Sequence, residues 1–174
     1  HDKIKKTLNY ESAVLKIYDI PVLYFPKFFH PDPTVKRQSG LIKPAINSSN
    51  VLGTSFTLPY FKVVSESKDL TLTPTWFDSD TLMSTLEYRE KNKNSSLLTD
   101  FGFVSGYKSP TTKKKNSLSH LFLDYNLNLK LENYNSSNFK ISINRVSNDS
   151  YLNVFDQYIT KSNLRPSDSN KLTN

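Results

Sequence analysis

Between Leu121 and Leu131 every second residue is apolar: Leu121, Leu123, Tyr125, Leu127, Leu129 and Leu131. His120, Phe122, Asp124, Asn126, Asn128, Lys130 and Glu132 fill the other parity. A period of two puts the two sets on opposite faces of one β-strand. The run spans eleven residues. Globular strands average about five or six residues, whereas a strand that crosses a bilayer needs about 9–11. The leucines suit lipid, and the Asn, Asp and Lys of the second face suit a wet lumen, as in a transmembrane β-barrel. The same alternation fits a soluble β-sandwich with one solvated face.

Similar patterns recur along the chain. Phe56, Leu58 and Tyr60 share one face of a segment, and Leu70, Leu72, Pro74 and Trp76 share a face opposite Thr71, Thr73 and Thr75. Leu82, Leu86 and Tyr88 follow the turn Asp78-Ser79-Asp80, a less regular strand covers 96–104, and Phe139, Ile141 and Ile143 alternate with polar residues. Residues 151–160 read as one more strand. Hydrophobic content is only 36% while aromatics reach 13%, a balance that fits β-structure polar on one face. The expected class is all-β, built of antiparallel strands. Upstream, 13–26 reads as two short strands around Pro21. The stretch 27–38, with two prolines and several charges, reads as a linker, which places a boundary near residue 38. Residues 107–117 form a longer basic connection and 133–138 a short polar turn. No apolar run approaches the ~18 residues of a transmembrane helix. Nothing in the sequence resembles a signal peptide, the pattern starts and stops midway, and the chain reads as a piece of a longer protein.

Two prolines interrupt strand patterns, Pro44 within 39–46 and Pro59 within 55–61. Proline has no N–H for a strand ladder and is confined to edges, strand ends and bulges. Two in succession mark either ordinary strand ends or a place where pairing is weak by construction.

Catalytic material is sparse. There is no cysteine, hence no disulfide and no thiolate metal site. The histidines are His1, His30 and His120; His120 and Asp124 share a strand face but stand too far apart for one metal site. Gly102 to Gly106 has the wrong spacing for a nucleophile elbow, and neither a P-loop nor a dinucleotide fingerprint is present. No cofactor or metal is expected, and the chain reads as something other than an enzyme. Net charge is +7. Lys108, Lys113, Lys114 and Lys115 cluster as a basic patch, which reads as a solvated loop or as a contact for anionic lipid. Nothing resembling a nucleic-acid-binding motif accompanies that charge. Asn-x-Ser sequons at Asn47, Asn94, Asn135 and Asn148 matter only in a eukaryotic secreted protein.

Five segments taken in order, 20–26 (Ile-Pro-Val-Leu-Tyr-Phe-Pro), 37–44 (Arg-Gln-Ser-Gly-Leu-Ile-Lys-Pro), 58–61 (Leu-Pro-Tyr-Phe), 69–74 (Asp-Leu-Thr-Leu-Thr-Pro) and 144–151 (Asn-Arg-Val-Ser-Asn-Asp-Ser-Tyr), resemble the LptD family of lipopolysaccharide-assembly outer-membrane proteins. The resemblance covers most of 13–160. It implies a periplasmic β-jelly-roll ending in residues 1–38, then the first strands of a large outer-membrane barrel in 39–174. It also implies an LptE-like lipoprotein plug, an LptA-like jelly-roll bridge across the periplasm, and lipopolysaccharide as cargo leaving through a lateral gate. The family's gate prolines match Pro44 and Pro59. The cysteines that the family pairs in disulfides have no counterpart. Left to the residues alone, a small barrel acting as adhesin or pore and a glycan-binding β-sandwich stay open.

Overall fold

The computed structural model describes residues 7–31, 37–109, 115–131, 134 and 137–159. The chain divides into two compact units, 1–41 and 42–174.

In the first unit, β1 (Thr7–Ile17) and β2 (Ile20–Pro31) form an antiparallel hairpin. Its turn is Tyr18-Asp19, both with positive φ (48° and 62°), the twist that joins two strands by two residues. The break therefore falls at Tyr18-Asp19 rather than around Pro21. Pro21 sits at the start of β2, beside a register shift between Leu15 and Lys16, where a missing N–H is tolerated. The strand also runs further than the linker reading of 27–38 allowed. Lys27 to Pro31 pair with Glu11 to Thr7, because two aromatics at 28 and 29 continue the β pattern past the charges. The short β3 (Gly40–Leu41) ends this unit.

The second unit is built on one antiparallel sheet. Its strands are β4 (Ala45–Ser49), β5 (Gly53–Thr57), β6 (Tyr60–Ser65), β7 (Lys68–Phe77), β8 (Leu82–Lys91), β9 (Ser95–Lys108), β10 (Lys115–Asn128) and β11 (Asn138–Val146). The order is β11-β10-β9-β8-β7-β5-β4, with β6 also beside β7. Turns 50–52 and 78–81, the β9–β10 connection and the segment after β11 lie at one end. Turns 66–67 and 92–94 and the β10–β11 connection lie at the other. Strand β10 is 14 residues long, long enough for a bilayer. It starts earlier than the leucine alternation and stops at Asn128, so Leu129 and Leu131 belong to the following connection. The basic connection correspondingly shortens to 109–114.

The described part of the segment read as a last strand, residues 151–159, does not form one. It makes helix α1 (Tyr151–Phe155) and a 3-10 turn, Asp156–Tyr158. The physical reason is the spacing of Tyr151, Leu152, Phe155, Tyr158 and Ile159, which is helical rather than alternating. The side chain of Asn148 starts the turn by accepting from the Ser150 N–H at 2.8 Å and the Ser150 hydroxyl at 2.6 Å. This segment packs on one face of the sheet and creates its core: Phe77, Met83, Val104, Tyr107, Leu118 and Phe122 from the strands meet Tyr151, Leu152, Phe155, Tyr158 and Ile159. Phe155 is completely buried, with edge-to-face contacts to Tyr107 at 5.3 Å and Phe77 at 6.4 Å. Phe155→Ala should cost about 3–5 kcal/mol, read as a lowered denaturant midpoint. A change below about 1 kcal/mol would show that the helix does not rest on this core.

The opposite face is apolar and open. Leu72, Trp76, Leu82, Leu86, Phe101, Phe103, Phe139, Ile141 and Ile143 are all exposed on it, and Phe56 stacks on Trp76 across β5 and β7 at 6.0 Å. A stripe of this extent departs from a solvated sandwich face, since soluble monomers keep apolar patches to a few hundred Å².

Candidate functional site

The prolines fall at breaks between strands. Pro44 lies between β3 and β4, and Pro59 between β5 and β6. The pairing explains what each removes. In an antiparallel ladder a residue's N–H and C=O point to the same neighbour, and the direction alternates along the strand. The Leu58 N–H donates to the Pro74 carbonyl at 3.1 Å, so Leu58 and Pro74 face one another. Pro74 has no N–H to return, and the pair is half made. The Ile42 N–H donates to the Pro59 carbonyl at 2.8 Å, and Pro59 likewise returns nothing. Ala45 pairs with Thr57, and alternation from there turns the backbone of Pro44 away from β5, towards the free edge of β4. Pro74 and Pro59 therefore each leave one strand pairing without a donor, and Pro44 leaves the free edge of β4 without one, all within about one residue of the same level of the sheet.

Pro74 was legible as a strand residue but not as a member of this set. The signal was its spacing: 44, 59 and 74 are separated by 15 residues each (59 − 44 and 74 − 59). That interval is one passage down and up a short hairpin. β7 tolerates its proline because Pro74 meets Ser84 of β8 on the side where no hydrogen bonds are exchanged.

A second constellation ties the helix to the sheet. His120 of β10 is buried, and its Nδ1 lies 2.8 Å from the Tyr151 hydroxyl and its Nε2 3.3 Å from Asp100 Oδ1. Burial, reinforced by the charge of Asp100, pushes the Tyr151 phenol well above the usual tyrosine range. The hydroxyl thus stays protonated; in the tautomer where it donates to Nδ1, the Nε2 proton faces Asp100. Phe122 stacks on the imidazole at 4.7 Å. Gly102 faces His120 across the strand pair, and a Cβ on it would land in the imidazole ring. Sequence reading passed over this set, since its parts lie on three separate elements; only the histidine on a polar face hinted at it. Asp124, which shares that face, turns instead to Ser142 and to Lys140, 3.7 Å away, and does not join His120.

Of the basic patch, Lys108 and Lys115 face each other at the ends of β9 and β10. Lys113 and Lys114 lie outside the described residues.

The family described as LptD protein matches residues 10–171. Similar curated proteins include the LPS-assembly protein LptD of Pseudoalteromonas translucida, 29% identical over 88% of this chain and 20% of its own length. That of Hahella chejuensis is 32% identical over 82% of this chain and 18% of its own, and that of Idiomarina loihiensis 27% over 82% and 18%. The chain spans about a fifth of the length of the curated relatives it matches.

Proposed function

The chain belongs to the LptD protein family, and on that premise we propose that it builds the first wall of an outer-membrane β-barrel that assembles lipopolysaccharide into the outer leaflet. The open apolar face is the lipid side, with Phe56 and Trp76 as part of an aromatic belt. The face carrying α1 is the lumen side. Residues 1–38 end a periplasmic jelly-roll that receives cargo from an LptA-like bridge, and an LptE-like lipoprotein closes the lumen. Lys108, Lys113, Lys114 and Lys115 then belong to an outer loop that meets lipid phosphates.

The observation that carries the reading is the line of missing donors at Pro44, Pro59 and Pro74, which begins at the free edge of β4. Each missing N–H forgoes about 0.5–1.5 kcal/mol of net hydrogen bonding, and an unpaired carbonyl in hydrocarbon costs more. A wall weakened at one level next to its edge suits a lateral gate through which a lipid-anchored saccharide leaves. Pro44→Thr combined with Pro59→Thr in the complete protein should tighten that gate. Lipopolysaccharide should reach the surface several-fold more slowly, and cells should become permeable to large hydrophobic antibiotics. Wild-type surface lipopolysaccharide and permeability, with the barrel folded and heat-modifiable, would remove the gate.

A further inference from the structure

At the end of the sheet remote from α1, a cavity of about 440 Å³ opens on the helix-bearing face. Lys91, Ser96, Asn126 and Lys140 form its floor in a single cross-strand row. Lys91 pairs with Ser96, Ser96 with Asn126, and Asn126 with Lys140. Lys93 and Asn128 also line it, and no carboxylate does so among the described residues. Adjacent strands stand about 4.8 Å apart, so the lysines at the two ends of the row are three strand spacings apart, about 14 Å.

We infer that this row is a binding site for a phosphorylated saccharide. The chemistry of the lining selects the ligand class. Ammonium groups at both ends attract phosphate as point charges. Between them, asparagine amides and a serine hydroxyl offer paired donors and acceptors, which match sugar hydroxyls. No aromatic side chain lines the cavity, so nothing is there to stack a nucleic-acid base. Asp124 draws on Lys140 from 3.7 Å, which tempers the charge at that end and leaves the row suited to transient contact rather than tight retention. The inference rests on the transport reading above and adds a named contact for the phosphorylated core sugars of the cargo.

The test places a photo-crosslinking amino acid at Ser96 in the complete protein in outer membranes, with a second one at Thr71 on the same face as a control. Lipopolysaccharide should crosslink at both. At Ser96 the yield should fall about tenfold in K91Q/K93Q/K140Q, recover in K91R/K93R/K140R, and fall equally when the core of the lipopolysaccharide carries no phosphate. At Thr71 it should hold in every case. A Ser96 yield indifferent to both changes, or crosslinking at Thr71 alone, overturns the site while leaving transport intact. Crosslinking at neither position overturns the transport reading and the site with it. Inorganic phosphate at millimolar concentration should protect Ser96 far less than isolated phosphorylated core oligosaccharide. Equal protection would make the site one for phosphate alone and overturn the saccharide assignment.

Discussion

Replacing Gly102 with valine is expected to release residues 151–159 from the sheet. The new Cβ would occupy the space of the His120 ring. The ring cannot yield in place, because Phe122 stacks on one side and Tyr151 holds Nδ1, and close-packed interiors transmit such a clash. Expelled, His120 leaves Asp100 fully buried with neither carboxylate oxygen satisfied, since Oδ2 already has no partner among the described residues. Leaving a buried carboxylate without its hydrogen-bond donor costs about 1–3 kcal/mol, and more when the group is charged. About 3 kcal/mol corresponds to roughly a hundredfold in an opening equilibrium. Amide exchange across 151–159 should therefore accelerate about a hundredfold in Gly102→Val. Unchanged exchange in the single variant would mean that His120 does not hold the helix.

The second large effect is expected at Pro74. Pro74→Thr supplies the N–H that the Leu58 carbonyl lacks and completes a pair that is already half made through the 3.1 Å bond from Leu58 to residue 74. Threonine also suits a strand, and position 74 sits in register between Thr73 and Thr75 opposite β8, so no repacking is needed. One added bond contributes about 0.5–1.5 kcal/mol, and more in a wall bounded by lipid. Exchange of the β5 and β7 amides around 58 and 74 should slow up to about tenfold, and lipopolysaccharide export with it. Adding Pro59→Thr completes the neighbouring pair with Ile42. Because the sites adjoin, the double variant should exceed the sum of the singles. If Pro74→Thr slows exchange but not export, the third proline is a strand residue with no part in the gate.

How much of this could be read from the residues depends on the range over which each interaction acts. Alternation in β10 and β11 announced itself because a half-exposed strand has to repeat every two residues. The same rule misread 151–159, where Tyr151, Leu152, Phe155 and Tyr158 follow the 3.6 period of a helix and the asparagine turn at 148 starts it. Charge at 27–38 suggested a linker, but hairpin pairing with β1 carried β2 on to Pro31. Pro44 and Pro59 stood out locally, whereas Pro74 looked ordinary until its carbonyl was found opposite Leu58. The lock of Gly102, Asp100, His120 and Tyr151 had no local signature, since its members lie on β9, β10 and α1.

The sequence by itself determined that the chain is all-β, that its strands are antiparallel and long, and that two prolines interrupt them. These follow from backbone stereochemistry and side-chain period, which act over a few residues. Tertiary structure alone decided which face each strand turns to the helix, which carbonyls face a proline, and which lysines share one row. Those outcomes depend on register between strands, and register is a property of pairs distant in sequence.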